Sequence, residues 1–466
     1  MTALPATTRR WPRAAVAAML FAFLPGVGTH LHAETATNEP PQKRYELGAV
    51  TNIVTGDIKA GIEKHISTEV ARGNDAMKLP YQDKVLELKL VRVHVEYLAT
   101  LGPGRHFACV DMAGADGDFY DVDFFMEGDP GSMRVTETMV HKINGIPLYL
   151  WKQAPDKSWG RATANSQEKE LLGVIHGKDL FEFRYQVTLP ILTGQTRMWL
   201  PLAQSDEFQK VEVLSIDMPA PSRVLTEPVH SNKSVFVTLG PEHSGKTAEV
   251  AYRVTRLEKG PYAGDAQEAR KHLEPESRVP LTDAIRSAAA TMVAGKKGDL
   301  IRARAIYDET IDTMRYKKSG EGWGQGDADY ACNTRSGNCT DYHAFFIAHA
   351  RAAGIPARFA IGAGIPSERN DGGTDGYHCW AEFYADDKWY PVDISEADKF
   401  CSLSMYYFGH HPANRFEFTR GRDLVFDPGP ASGPINFFAY PVLDLNGKPV
   451  KVQTFFAFRR LPSSGN

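Results

Sequence analysis

The sequence predicts a multidomain α+β protein with a small N-terminal α+β module, a β-sandwich and a C-terminal α+β domain. Three observations predict this class. A chain of 466 residues is too long for a single hydrophobic core. Strand and helix patterns occur in separate blocks instead of alternating along the chain. The composition, with 42% hydrophobic and 11% aromatic residues, is typical of a chain that folds.

The first 33 residues predict an export signal. Three arginines at positions 9, 10 and 13 precede an apolar run at 14–24, and Ala33 offers a cleavage point. This run is too short to cross a bilayer, which takes about 20 residues. We therefore expect an exported protein, periplasmic or secreted after cleavage near Ala33, with no stable membrane span. A polar tail follows at 34–44.

Residues 45–160 predict an α+β module of unknown role. Apolar residues at helical spacing predict a helix at 53–72, and alternation predicts four strands at 85–95, 105–112, 119–126 and 133–141. One hairpin of this meander is crowded with aspartates at 111, 116, 118, 121 and 123. Their spacing fits no calcium loop, so we interpret them as turn residues and outward-facing strand residues.

Residues 168–260 predict the β-sandwich, because five short alternating segments are separated there by turns. Helical patterns at 281–294 and 299–314 then open the last domain, which we place at 280–460. Two strands are expected at 435–442 and 450–458, with a turn at Asn446 and Gly447. We expect them to extend the sheet of this domain or to cover its cleft.

Cys339 is the first candidate for chemistry. It follows Gly337 and Asn338 and begins a helical segment with an aromatic face that ends at Gly354. The partial positive charge at a helix start stabilises a thiolate, which is what a cysteine nucleophile requires.

A histidine and an acid complete the candidate site. Residues 377–384 and 389–393 read as two strands joined by a turn at 386–387. In that register Trp380 opposes Asp393 and His378 opposes Ser395, so His378 and Asp393 become diagonal neighbours on one face. We expect the carboxylate to hold the imidazole by its Nδ1–H. Cys339, His378 and Asp393 then supply the nucleophile, base and orienting acid of acyl transfer.

These segments resemble the core of the transglutaminase-like superfamily. The resemblance rests on four linked motifs: Gly337-Asn-Cys-Thr-Asp341, Gly354-Ile-Pro-Ala-Arg358, Tyr377-His-Cys-Trp-Ala-Glu382 and Trp389-Tyr-Pro-Val-Asp393. It covers about 280–400 and implies a papain-like fold in which Cys339 is the nucleophile, His378 the base and Asp393 the orienting acid. The strands before it are similar to the β-domain that often precedes this core in bacterial relatives.

The resemblance leaves the reaction open, since the superfamily includes cross-linking enzymes, peptidases, amidases and inactive proteins. We expect hydrolysis of a peptide or amide bond in a peptide or protein substrate. The alternatives are protein cross-linking and a binding or assembly module with an inactive triad. Trp323 and Gln325 are candidates for the second oxyanion donor beside the Cys339 N–H.

The remaining cysteines and histidines allow two further interpretations. Cys109, Cys332, Cys379 and Cys401 have the composition for one or two disulfides, without a deducible pairing. A zinc site would draw on Cys332, Cys339, His343, His378, Cys379, Cys401, His410 and His411, but their spacing matches no zinc motif. We interpret His343 and His349 as packing residues. The sequence predicts no cofactor or metal, and a net charge of −4 gives no footprint for nucleic acid.

Overall fold

The computed structural model of the chain describes residues 55–102, 104–153, 159–399 and 403–462. The predicted export signal, the polar tail and Cys401 lie outside the described residues. No helix in the described part is long and apolar enough to cross a membrane. The protein is a multidomain α+β protein that is rich in β-sheet.

The N-terminal region is a helix packed on an antiparallel sheet. Helix α1 (Thr55–Arg72) buries three isoleucines, at 58, 62 and 66, against this sheet. The strands are β1 (Met77–Tyr81), β2 (Lys84–Val93), β3 (Ala99–Gly102), β4 (Arg105–Gly114), β5 (Phe119–Glu127), β6 (Arg134–Ile143) and β7 (Ile146–Pro147), followed by the hairpin β8 (Tyr149–Gln153) and β9 (Trp159–Thr163). The sheet order is β1-β2-β4-β5-β6-β7, and β3 pairs with β4. The predicted helix and its four predicted strands are confirmed, within a larger sheet.

The middle region forms the two sheets of a sandwich. Its strands are β10 (Lys178–Thr188), β11 (Thr196–Leu202), β12 (Gln209–Asp217), β13 (Ser222–Thr226), β14 (Lys233–Leu239) and β15 (Thr247–Leu257). One sheet contains β12, β15 and β10, and the other contains β13, β14 and β11. Strand β10 alternates between buried and more exposed residues, so its aromatic residues Phe181, Phe183 and Tyr185 face the core.

The C-terminal region places one buried helix against a sheet. Its elements are β16 (Tyr262–Ala263), α2 (Ala266–Arg270), α3 (Asp283–Met292), α4 (Asp299–Thr313), β17 (Arg315–Tyr316), α5 (Ala328–Thr334), β18 (Ser336–Gly337), α6 (Cys339–Ala352), β19 (Ala357–Gly364), β20 (Asp371–Gly373), β21 (Tyr377–Ala385), β22 (Lys388–Val392), α7 (Ile394–Ala397) and β23 (Arg415–Arg420). The sheet order is β16-β22-β21-β19-β23. Helix α6 is buried on all sides between α3, α4, α5 and this sheet.

The C-terminal strands differ from the expectation. They are β24 (Val442–Leu445), β25 (Lys448–Val450) and β26 (Gln453–Arg460). They complete the sandwich instead of extending the sheet around α6, because β24 pairs with β11 and β26 pairs with β10. Strands β10 and β11 would otherwise be edge strands, and the C-terminal segment, which is distant in sequence, pairs with both of them. The turn at Asn446 and Gly447 is confirmed, with φ of 51° and 78°. Residues 435–441 form no strand.

The aspartate-rich hairpin also differs from the expectation. Asp116 and Asp118 lie at the turn, but Asp111, Asp121 and Asp123 are almost completely buried. These three aspartates lie on the face of the sheet that points away from α1, and other elements cover this face. The hairpin β8–β9 covers one part of it, where Tyr149 bonds to Asp123, and α4 covers another, where Arg304 pairs with Asp111.

Candidate active site

Cys339 is the first residue of α6, as the sequence predicts, and only 3% of its surface is exposed. Asn338 caps the helix by accepting a hydrogen bond from the Thr340 N–H at 3.0 Å. Gly337 is required because a Cβ at this position would lie 2.2 Å from a carboxylate oxygen of Asp341. The Cys339 N–H belongs to the first turn, so it has no carbonyl partner within the helix.

Asp341 ties a glycine-rich loop to this helix start. Its carboxylate accepts hydrogen bonds from the backbone N–H groups of Asn338 at 2.9 Å, Gly324 at 2.7 Å and Gly326 at 3.0 Å. The loop that carries the two oxyanion candidates therefore lies beside Cys339. Trp323 is half-buried and Gln325 is exposed.

His378 and Asp393 meet as the sequence predicts, but through the other ring nitrogen. The distance from His378 Nε2 to Asp393 Oδ2 is 2.6 Å. The predicted contact through Nδ1 is wrong, and so is the pairing of His378 with Ser395. The hairpin register holds from Tyr384 opposite Trp389 to Ala381 opposite Val392, but β22 ends there and the chain turns into α7. Asp393 is therefore a helix cap.

His378 lies beside the Cys339 thiol, and each of these two groups affects the pKa of the other. Since Nε2 of His378 faces Asp393, Nδ1 is the ring nitrogen left for the sulfur. Burial disfavours an imidazolium, but the charge and hydrogen bond of Asp393 outweigh burial and raise the pKa of His378 to about 10. These two contacts place a proton on the histidine rather than on the thiol.

Asp393 lies at the centre of a buried cationic environment. Its surface is fully buried, which by itself would raise its pKa, but the positive charges of His378 and Arg415 hold the pKa well below the usual range. Arg415 Nη2 lies 3.5 Å from Asp393 Oδ2. The other carboxylate oxygen, Oδ1, accepts hydrogen bonds from the Ser395 hydroxyl and the Glu396 N–H, each at 3.3 Å. The carboxylate is thus ionised and fixed in place.

Cys379 is a site residue that sequence reasoning missed. Its sulfur lies 3.6 Å from His343 Nδ1. Interaction with Cys379 is the largest contribution to a pKa of Cys339 well below the usual range, and the interaction with His378 also lowers this pKa against the effect of burial. Burial and the Cys339 thiolate raise the pKa of Cys379, so Cys379 keeps its proton. The signal was the apolar face of β21 that Cys379, Ala381 and Phe383 form at alternate positions, since such a face packs on a buried element.

His343 bridges the site as a neutral residue. Its Nε2 accepts the Ile394 N–H at 3.1 Å, so Nδ1 carries the proton and donates to the Cys339 carbonyl at 2.7 Å. Burial lowers its pKa. His349 likewise bonds to a helix carbonyl, that of Phe345, at 2.7 Å. Both histidines pack and orient, as predicted.

The other predicted clusters do not form in the described part of the chain. Cys332 Sγ lies 4.0 Å from His349 Nε2, and Cys109, Cys332, Cys339 and Cys379 are all free thiols. The groups of metal-ligand side chains that converge within 4.8 Å, among the described residues, lie in the N-terminal sheet and include none of the eight predicted zinc ligands.

A cavity of about 320 Å³ opens beside His378. Charged side chains line it, so water reaches the imidazole; they are Lys318, Glu368, Arg369, Asp375, Glu396, Lys399 and Arg415. Tyr316 and Tyr377 also line this cavity. Burial is the main cause that raises the pKa of both phenols, and the negative charge of the nearby Cys339 thiolate raises it further.

Residues 286–394 match the family model of the Transglutaminase-like superfamily. This range contains Cys339, His378 and Asp393. The C-terminal region of the chain therefore contains a transglutaminase-like domain.

Parts of the chain are also similar to individual proteins. An uncharacterized protein of Haemophilus influenzae is 28% identical, over 58% of this chain and 87% of the relative. A solved structure from Cytophaga hutchinsonii, named "Putative Cysteine Protease", is 17% identical over 62% of this chain and 93% of its own, with a TM-score of 0.44. The periplasmic domain of TgpA from Pseudomonas aeruginosa, bound to ethylmercury, is 14% identical over 48% of this chain and 91% of its own, with a TM-score of 0.27.

Proposed function

We propose that the protein is an exported cysteine-dependent acyl-transfer enzyme that hydrolyses a peptide or amide bond. One observation carries the proposal. A thiol at a helix start, Cys339, lies beside His378, and Nε2 of this histidine is 2.6 Å from the buried carboxylate of Asp393. The export signal predicted at 1–33 supports a location outside the cytoplasm.

The first half-reaction uses the ion pair of Cys339 and His378. The thiolate attacks the substrate carbonyl carbon, and the C=O π electrons move to the oxygen to give a tetrahedral oxyanion. His378 then transfers its Nδ1 proton to the leaving nitrogen. The C–N bond breaks, the amine leaves, and a thioester remains on Cys339.

The second half-reaction uses water. Neutral His378 accepts a proton from a water molecule at Nδ1, and the oxygen attacks the thioester. The C–S bond breaks, the carboxylic acid leaves, and the thiolate and imidazolium are restored. The water-accessible cavity beside His378 favours this outcome over transfer to a second amine.

The neighbours of the pair have distinct roles. Asp393 accepts the Nε2–H of His378 throughout, which keeps Nδ1 directed at the sulfur and stabilises the imidazolium. Cys379 stabilises the thiolate before attack. The N–H of Cys339 donates to the oxyanion, and the loop held by Asp341 supplies the second donor from Trp323 or Gln325.

Peptide cleavage by the purified mature protein tests the proposal. A mixture of peptides is incubated with the wild type and with Cys339→Ser, and the products are read by mass spectrometry with and without a primary amine. We expect cleaved peptides with free carboxyl ends in the wild type alone. Products that carry the added amine would assign cross-linking chemistry instead, and no turnover by a protein with a reactive Cys339 would assign a binding module.

A further inference from the structure

The N-terminal sheet carries a second cluster of chemically competent side chains, far along the sequence from the candidate active site. Cys109 on β4, Asp121 and Asp123 on β5 and His141 on β6 each present one ligand-type atom, and these atoms lie within 4.8 Å of one another. The three strands are neighbours in the sheet, and all four side chains lie on the face opposite α1.

Two atoms of this cluster are buried without a hydrogen-bond partner. They are Asp123 Oδ1 and His141 Nδ1, which lie 3.7 Å apart. Asp123 has no exposed surface at all. A buried carboxylate oxygen and a buried imidazole nitrogen without hydrogen-bond partners are costly, and a ligand bound between them would satisfy both.

Hydrogen bonds to Asp123 Oδ2 and His141 Nε2 orient these two side chains, so that Asp123 Oδ1 and His141 Nδ1 face the cluster. Asp123 Oδ2 accepts hydrogen bonds from the Tyr149 hydroxyl at 2.7 Å and from the Trp151 indole at 3.1 Å. His141 Nε2 lies 3.1 Å from the Tyr149 carbonyl, which can only accept, so Nε2 carries a proton and Nδ1 is the nitrogen that faces the cluster. Metal-bound histidines are oriented in this way by a backbone carbonyl on the second nitrogen.

Asp121 and Cys109 complete the set. Asp121 Oδ2 bonds to Lys142 Nζ at 2.8 Å, and the Cys109 thiol donates to Asp121 Oδ1 at 2.7 Å. Because the thiol donates this hydrogen bond, Cys109 carries its proton in the metal-free protein. A divalent ion replaces that proton, and its two charges together with Lys142 balance the thiolate and the two carboxylates.

We propose that Cys109, Asp121, Asp123 and His141 bind Zn²⁺. Thiolate, imidazole and carboxylate are the ligands that zinc takes in proteins, and a tetrahedral ion with bonds of about 2.0–2.3 Å places its ligands about 3.3–3.8 Å apart. His141 Nδ1 is 3.7 Å from Asp123 Oδ1 and 3.8 Å from Asp121 Oδ1. On binding, the thiol proton goes to solvent, a Zn–S bond forms, and Cys109 and Asp121 move apart.

Four protein ligands fill a tetrahedral shell, so the ion stabilises the N-terminal region instead of activating water. It enters from a cavity of about 1260 Å³ that Cys109, Asp123 and His141 line. The neighbouring group of His94, Asp111 and Asp121 is a poorer site, because Asp111 already bonds to Arg304 and His94, each at 2.9 Å.

Cobalt binding by the mature full-length protein tests the proposal. The protein is stripped with a chelator and titrated with Co²⁺, which gives a thiolate charge-transfer band in the near ultraviolet and tetrahedral bands in the visible range. We expect one equivalent to bind, Zn²⁺ to displace it, and Cys109→Ser to lose the charge-transfer band. Asp123→Asn, which preserves shape, should weaken binding by at least about 10- to 100-fold, the usual cost of losing even an outer-shell partner.

Two controls make the outcome specific. Cys339→Ser and Cys332→Ser should keep the charge-transfer band, and circular dichroism reports whether each variant is folded. Folded wild type that binds no cobalt would overturn the proposal. So would a charge-transfer band that survives Cys109→Ser and disappears in Cys339→Ser, since the metal would then lie at the candidate active site.

Discussion

Cys379 on β21 lies beside Cys339 at the start of helix α6, and its interaction with Cys339 lowers the pKa of the Cys339 thiol. His378, the residue before Cys379 on the same strand, also lies beside this thiol. The lowered pKa of Cys339 thus depends on two consecutive residues of β21, Cys379 and His378.

Removing the Cys379 thiol should raise the pKa of Cys339. Cys379→Ala loses the donor that contributes most to the thiolate, whereas Cys379→Ser keeps a hydroxyl donor and should shift the pKa less. Below both pKa values, each unit of upward shift lowers the thiolate fraction about tenfold. The pH profile of Cys339 alkylation, extended to pH values below the pKa of the wild-type thiol, measures this. Cys332→Ala is the control, and superimposable profiles for wild type and Cys379→Ala would contradict the expected role.

Asp393→Asn should move the basic limb of the pH–rate profile to lower pH. The pKa of His378 is raised to about 10 against burial by the Asp393 carboxylate. The amide still accepts the Nε2–H but carries no charge, and an opposite charge at this range is worth about 1–3 pH units. Peptide cleavage measured from neutral pH to above pH 10 shows the limb. A profile that superimposes on that of the wild type would contradict this role of Asp393.

Asp341→Ala should slow turnover while leaving the reactivity of Cys339 nearly unchanged. The carboxylate fixes the N–H groups of Gly324 and Gly326, so its removal frees the loop of Trp323 and Gln325. Losing one oxyanion donor costs about 10²- to 10³-fold in kcat. Trp323→Phe and Gln325→Ala then identify the donor, since only one of them should reproduce the loss. Unchanged kcat in all three variants would remove this loop from the mechanism.

Glu382→Gln should destabilise the fold. Glu382 is buried between Lys259 at 2.8 Å and Arg358 at 2.6 Å, and it joins the end of the sandwich to the β19–β21 sheet. Breaking a buried pair leaves a cation without its partner and costs about 3–5 kcal/mol in the free energy of unfolding, measured in urea. Glu268→Gln, which breaks the exposed pair with Lys271, should change it by less than about 1 kcal/mol.

The same ion pair has a pH signature. Burial alone would raise the pKa of Glu382, but Lys259 and Arg358 hold it well below the usual range. A carboxyl with a depressed pKa stabilises the fold above its unfolded pKa, about 4.3, and this contribution is lost as the pH falls toward the folded value. Wild type should therefore lose stability on acidification more steeply than Glu382→Gln. Parallel curves for the two proteins would contradict this.

The candidate triad was predictable from sequence because each member sits in a local pattern. A capped helix start marks Cys339, and a short hairpin brings His378 near Asp393. The contacting ring nitrogen was not predictable, because the strand ends at Val392 and Asp393 begins a helix. Contacts between segments distant in sequence were also missed. Strand β26 pairs with β10, and the hairpin β8–β9 buries Asp123. The spacing of apolar residues within one segment does not indicate which distant segment it will contact.

The pH dependence of Cys339 alkylation in the wild type and in His378→Ala tests the central proposal most directly. Iodoacetamide labelling is read at the Cys339 peptide by mass spectrometry. The ion pair predicts rapid labelling already near pH 6 in the wild type and a profile displaced to higher pH in His378→Ala. Identical profiles that rise only above about pH 8 in both proteins would contradict a thiolate supported by His378.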